Sequence, residues 1–188
     1  ETGTTRQLSE FCSSLTGIEQ ATLDTALPLA EVLELFVAWL EERGLVAALA
    51  EGRAVLVTHG GWDLGDQLPR EASRKGVKLP SCLDAFADLK VIFALTCNEH
   101  RGTSLKQMLD QLGIPAQGRS HCGLDDCRNF GRVLEKLIKR GADLSPTWRK
   151  SEGHLRGHGV GKRPGDWDCA CGAIAFGSKP NCYRCGEP

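Results

Sequence analysis

The chain ends in four cysteines whose pattern suits one metal ion. Cys169-x-Cys171, then ten residues, then Cys182-x-x-Cys185 place four thiols within 17 residues. Zinc takes four thiolates tetrahedrally at about 2.3 Å, and its binding energy substitutes for a core that a short segment cannot build. The apolar inventory here is only Trp167, Ile174, Phe176, Tyr183 and a few alanines. A disulfide pair is the competing reading of the same residues. Cys12, Cys82, Cys97, Cys122 and Cys127 are scattered, and the total of nine is odd. Both facts disfavour a disulfide framework, so a reducing compartment, cytoplasm or nucleus, is expected.

Two further stretches combine histidine with carboxylates. Thr58-His59-Gly60-Gly61-Trp62-Asp63 directly follows an apolar, β-branched run. The carboxyl end of a strand is where open α/β sheets put their chemistry. In His121-Cys122-Gly123-Leu124-Asp125-Asp126 the histidine stands five residues before Asp126, at the mouth of a helix. Taken singly, each stretch also reads as a helix start, with Asp63, Asp125 or Asp126 as the capping residue.

The elements that must position these residues follow from periodicity. Leu29, Val32, Leu33, Leu35, Phe36, Trp39 and Leu40 recur at helical spacing between Pro28 and Gly44. Arg53–Thr58 reads as a buried strand. Gly60-Gly61 turns the chain, and a helix is expected from Asp63 to about Arg74. Leu105, Met108, Leu109 and Leu112 form a second stripe, ended by Gly113. Asp125 to about Arg140 makes a last helix, with Phe130, Val133, Leu134, Leu137 and Ile138 on one face. One strand among helices fits part of an α/β layer fold whose other strands are expected upstream of Glu1.

Three regions divide the chain: 1–148, a Gly-rich basic linker at 149–165, and 166–188 with the cysteine cluster. Ser151–Gly165 holds five glycines and a proline in 15 residues, a linker composition. Residues 1–148 carry 16 basic and 20 acidic side chains, whereas 149–188 carry 7 and 4. The overall charge of −1 therefore hides a reversal from −4 to +3. No apolar run approaches the roughly 18 residues that span a bilayer, so no membrane partner is expected. Gly157-x-Gly159-x-Gly161-Lys162 follows no strand and has Arg163 in place of Ser or Thr, so it is not a phosphate loop.

The tail, Gly165-Asp166-Trp167-x-Cys169, Cys171-Gly172, Phe176 and Cys182-x-x-Cys185-Gly186-x-Pro188, resembles a Ran-binding-protein-type zinc finger. That resemblance implies two small hairpins around one structural Zn²⁺, and a role in binding single-stranded RNA, ubiquitin or another protein partner. One residue separates the first two cysteines here, where the family has two to four. Ala175 replaces the base-reading Asn, Lys179 stands for the usual Arg, and Gly172-Ala173 stands for the Thr-Phe pair of ubiquitin binders. Trp167 then either stacks on a base or packs the small fold, and Lys179 and Arg184 are available to phosphates.

Leu8-Ser9-Glu10-Phe11-Cys12-x-x-Leu15-Thr16-Gly17-Ile18, then Gly61-Trp62-Asp63, then His121-x-Gly123-Leu124-Asp125-Asp126-x-x-Asn129 resemble the DEDDh 3′-to-5′ exonucleases. The branch they look like is that of the histone-mRNA 3′-end and small-RNA-trimming enzymes. The resemblance covers residues 6 to about 144 and implies a ribonuclease H-like α/β fold. It implies Asp63 and Asp126 as ligands of two Mg²⁺ or Mn²⁺ ions and His121 as the proton acceptor. It also implies that Phe11, Leu15 and Trp62 hold the terminal base of a single-stranded RNA 3′ end. Two Mg²⁺ ions clamp the attacking and leaving oxygens of a phosphodiester, and an imidazole exchanges its proton near neutral pH. The family's first motif, Asp-x-Glu, occurs nowhere in this chain and is expected upstream. The alternative is a non-catalytic RNA-binding or adaptor module that kept the fold. Retention of Asp63, His121 and Asp126 argues against it.

Overall fold

The structure, a computed structural model, describes residues 7–99, 103–150, 153–154, 165, 167–170, 174–175, 180–182 and 185–188. Helix α1 (Glu10–Thr16) starts where Ser9 accepts the Cys12 N–H and stops at Gly17, whose φ of 75° closes the last turn. A short α2 (Gln20–Asp24) leads to α3 (Leu29–Glu41), which follows Pro28 and buries Leu33 and Leu40 but leaves Val32, Leu35 and Trp39 of the expected stripe exposed. Gly44, at φ 65°, separates it from α4 (Leu45–Ala50). The expected strand Arg53–Thr58 pairs only at its end, Val57–Thr58 (β1). Its beginning is held otherwise, because the Arg53 and Ala54 amides both donate to the Ala48 carbonyl in α4.

The helix expected over 63–74 is instead a π-turn, Asp63–Gln67, continued by α5 (Leu68–Arg74). Pro69 has no N–H to offer an α-ladder, and the Leu68 amide reaches back five residues to the Asp63 carbonyl. This segment crosses over to β2 (Ala85–Asp88), which runs parallel to β1 with Thr58 opposite Asp88. β2 is followed at once by α6 (Leu89–Cys97). Neither element was visible as a period, because both are buried nearly all round, which erases alternation and stripe alike. Helix α7 (Leu105–Leu112) carries a full capping box from Ser104 and Gln107. Helix α8 (Gly123–Lys139) starts two residues earlier than periodicity gave. Strand β3 (Trp148–Arg149) lies antiparallel to β2, and β4 (Gly153–His154) antiparallel to β3. The sheet order β1-β2-β3-β4 thus takes in residues on both sides of position 148. A separate hairpin pairs β5 (Trp167–Asp168) with β6 (Ile174–Ala175).

The main core lies between the sheet and the last three long helices. Ala87, Leu89, Ile92 and Phe93 meet Met108, Leu109 and Leu112 of α7 and Val133 and Leu137 of α8. Full burial of each large side chain stabilises the fold by roughly 1.5–3 kcal/mol. A second contact fixes the π-turn: Phe86 stacks on Trp148 at 4.8 Å, and Gly65 sits against that pair. A Cβ at Gly65 would lie 3.6 Å from both rings, so the turn that opens at Asp63 rests on the sheet through its glycine.

Candidate active site and cysteine cluster

Parallel pairing of β1 and β2 delivers two chain segments to the same sheet end. After β1, the Thr58 hydroxyl donates to the Gly60 carbonyl at 2.7 Å, and Gly60 takes φ 103°. After β2, the Asp88 carboxylate accepts the Gly60 N–H at 2.9 Å and the Lys90 N–H at 2.8 Å. Asp88 is 3% exposed, and its own amide donates to the Thr147 hydroxyl. One buried carboxylate therefore caps α6 and pins the turn that leads to Asp63. Sequence reasoning passed over it. The signal was present as an Asp-Leu-Lys helix start behind an apolar triplet.

His59 joins this end of the sheet to α8. Its ring stacks on Phe130 at 4.7 Å, and its Nε2 is buried with no hydrogen-bond partner among the described residues. Burial holds its pKa below the ordinary imidazole value, and the nearby Lys90 charge adds to that. Asp88, a hydrogen bond to the Thr103 backbone and Asp126 oppose it. The stack on Phe130 seats the turn after β1 against the middle of α8, the helix whose first turn carries Asp126.

Of the residues singled out by sequence, Asp63 opens the π-turn and is exposed, and Asp126 lies half-buried in the first turn of α8. Neither is a cap: Trp62 and Cys122 hold those positions. Acids in a first turn instead face the positive helix end. Single-turn π-bulges occur frequently at functional sites. His121 is exposed, with φ at 65°, a left-handed conformation rare for a residue with a Cβ. Asp63, His121 and Asp126 do not form a cluster of ligand atoms within 4.8 Å of one another. Trp62 is 50% exposed, and its indole N–H donates to the Gln67 side chain at 2.8 Å. Phe11 is 70% exposed on α1, with Leu15 one turn further along, half-buried. An exposed aromatic and an aliphatic four residues apart share one helix face.

The loop that presents His121 is stitched to α8 from below. Asn129, 4% exposed, accepts the Gln117 N–H at 3.1 Å and donates to the Gln117 carbonyl at 2.8 Å and the Asp125 carbonyl at 3.0 Å. The Asp125 carboxylate accepts the Arg119 N–H at 3.0 Å and the Arg128 guanidinium at 3.1 Å. That backbone bond is the main reason the Asp125 carboxyl is held below its ordinary pKa.

In the tail, three sulfurs gather. Cys169, Cys182 and Cys185 offer ligand atoms all within 4.8 Å of one another, and Cys169 Sγ is 3.3 Å from Cys185 Sγ. At that separation Cys169 and Cys185 are not joined as a disulfide, whose S–S bond is about 2.05 Å. Four thiolates at about 2.3 Å from one zinc would stand about 3.8 Å apart, so the spacing suits that ion. The Gly186 amide donates back to the Cys182 carbonyl, folding the Cys182-x-x-Cys185 turn. Cys171, Phe176, Lys179 and Arg184 lie outside the described residues. Trp167 packs against Cys169, Cys182 and Ala175, and Ala175 is fully buried. The Ala175 side chain therefore faces the small core.

Similarity to known proteins agrees with this geometry. The RNase_T exonuclease family model matches residues 3–134. The Drosophila melanogaster 3′-5′ exonuclease Snipper is 32% identical over 150 residues, covering 75% of this chain and 53% of that protein. The Danio rerio ERI1 exoribonuclease 2 is 38% identical over 151 residues, 74% of this chain and 27% of that protein. The chain spans about half or less of these relatives' length. Among solved structures, the nuclease domain of 3′hExo, described as a DEDDh family member bound to rAMP, superimposes with a TM-score of 0.67. It is 29% identical, and the match covers 76% of this chain and 70% of that one.

Proposed function

Because this chain belongs to the RNase_T exonuclease family, we propose that it is the C-terminal part of a DEDDh-type 3′-to-5′ exoribonuclease with a zinc finger appended. The observation that carries the proposal is the His59–Phe130 stack, which holds the turn before Asp63 against the helix that carries Asp126. Asp63 and Asp126 offer carboxylate oxygens, the donors that Mg²⁺ or Mn²⁺ prefer. When bound, two such ions stabilise charge on the attacking and leaving oxygens of a phosphodiester. The other two carboxylates belong to an Asp-x-Glu strand, and β1 leaves room for it: among the described residues no strand pairs on its outer side.

In this reading Phe11, Leu15 and Trp62 grip the 3′-terminal base, and the exposed His121 imidazole nitrogen accepts the proton of the attacking water. The water oxygen bonds to phosphorus and the phosphorus–O3′ bond breaks. A nucleoside 5′-monophosphate leaves, and the shortened RNA keeps a 3′-hydroxyl. Cys169, Cys171, Cys182 and Cys185 hold one structural Zn²⁺. With Ala175 buried, the finger adds RNA or protein contact with little base preference.

The test is digestion of 3′-labelled single-stranded RNA with Mg²⁺. The 188 residues alone are expected to leave it intact, and the chain extended upstream through an Asp-x-Glu strand is expected to shorten it from the 3′ end. In that extended form Asp63→Asn or Asp126→Asn abolishes turnover, and His121→Ala lowers it by roughly 10²–10⁴. An extended chain that binds RNA and never cleaves it would select the adaptor reading.

A further inference from the structure

Helix α1 is thinly held. It buries no residue, and its seven residues are too few for independent stability in water. Its last carbonyls need partners, and no basic side chain of its own lies in the last turn. The Gly17 amide satisfies Ser13. Arg119, more than 100 residues away in sequence, satisfies the next two: its Nη2 donates to the Ser14 carbonyl at 3.3 Å and the Leu15 carbonyl at 2.9 Å. The cation also meets the negative end of the helix, where it is favourable.

The left-handed backbone at position 17 favours glycine, and the Arg119 guanidinium fills the space a side chain would take. A Cβ at Gly17 would lie 2.6 Å from Arg119 Nη1, and φ there is 75°. The Arg119 backbone is equally fixed: its amide is taken by Asp125, and its carbonyl accepts the Cys122 N–H at 3.2 Å. Gly118 meets the same constraint from the other side, since a Cβ there would lie 2.3 Å from Asp125 Cγ. Arg119 stands two residues before His121. One residue thus has its side chain on the helix of Phe11 and Leu15 and its backbone in the His121 loop.

We infer that Arg119 is a positioning residue that couples α1 to the His121 loop and so keeps the base-gripping face of α1 docked for substrate capture. The inference rests on the exonuclease reading for its functional half and on geometry alone for its structural half.

Two readouts separate those halves. In the full 188-residue chain, Arg119→Ala should raise hydrogen exchange of the α1 amides about tenfold, the worth of roughly one charge-assisted bond pair at an exposed site, and leave α8 protected. In the extended, cleaving form the same variant should raise KM about tenfold and change kcat less than threefold, because Asn129 and Asp125 still hold the His121 loop. Arg119→Lys, which keeps the charge and loses the fork, should recover part of both effects. Unchanged α1 exchange would overturn the coupling. Increased α1 exchange with KM unaltered would overturn its role in gripping substrate. If the wild-type extended form fails to cleave, the exonuclease reading fails, and the exchange result still decides whether Arg119 holds α1.

Discussion

Asn129→Ala should loosen the His121 loop while leaving the core in place. The side chain makes three bonds to backbone, two at Gln117 and one at Asp125, and accepts a fourth from Arg132 at 3.2 Å. Net stabilisation per neutral bond is about 0.5–1.5 kcal/mol, so loss of the backbone three costs about 2–4 kcal/mol. Gln117 is exposed, and water can re-satisfy its N–H and C=O, which favours the lower end. Release of the loop also lets His121 leave φ 65°, which returns about 1 kcal/mol. The net expectation is about 1–3 kcal/mol.

Urea unfolding followed by tryptophan fluorescence measures this, and an unchanged m-value would show that the unfolded state is not the source. Amides of 117–122 should exchange faster, with those of Val133 to Leu137 unaffected. Asn129→Asp sharpens the test. It keeps an acceptor for the Gln117 N–H but turns a carboxylate toward the Gln117 and Asp125 carbonyls. It should be as harmful as alanine at pH 7 and recover in acid, where a protonated carboxyl donates again. A loss below about 0.5 kcal/mol for alanine, or one without faster exchange in the loop, would refute the stitching argument.

Two other expectations concern titration and metal. The His59 pKa is lowered by burial, so the unfolded chain binds the proton more readily. Stability from this group is full above the ordinary imidazole value, about 6.5, and declines as pH falls from there toward the folded value. Urea midpoints at pH 5 and 7.5, compared with His59→Phe, should show the decline only in the wild type. In the tail, one zinc per chain is expected by elemental analysis. Chelation or Cys182→Ser should unfold 166–188 only, without shifting the melting of the rest, and deleting the segment should weaken RNA binding and flatten its salt dependence.

How much of this was legible followed from burial geometry. Helices α7 and α8 each show water one face, and their stripes could be read directly, whereas α3 leaves Val32, Leu35 and Trp39 of its stripe exposed. β2 and the start of α6 show water little: Phe86, Ala87, Leu89, Val91 and Phe93 are wholly buried, and Leu95 near the end of α6 is the exposed exception. The most central elements were therefore the least periodic. Asp63, His121 and Asp126 stood out because their residue types sit beside glycine turns. Asp88, Asn129 and Arg119 did not, because each acts on backbone distant in sequence, and no local pattern records a partner 28, 12 or 105 residues away.

The supporting residues divide the labour in a way that the functional residues alone would not suggest. Asp63 depends on a turn pinned by Asp88 and seated through Gly65. His121 depends on Asn129, and the approach of α1 depends on Arg119. All three supports bind main chain, so each fixes where a segment runs without occupying Asp63, Asp126 or His121 themselves. A carboxylate already committed to an arginine or a helix amide would have to surrender that bond before it could hold a cation. Asp125 is so committed, to Arg119 and Arg128. Asp126, its immediate neighbour, has no side-chain hydrogen bond or ion pair of this kind among the described residues. That division, one acid of the pair spent on architecture and the other left open, is the physical reason to propose Asp126, and not Asp125, as the metal-binding acid.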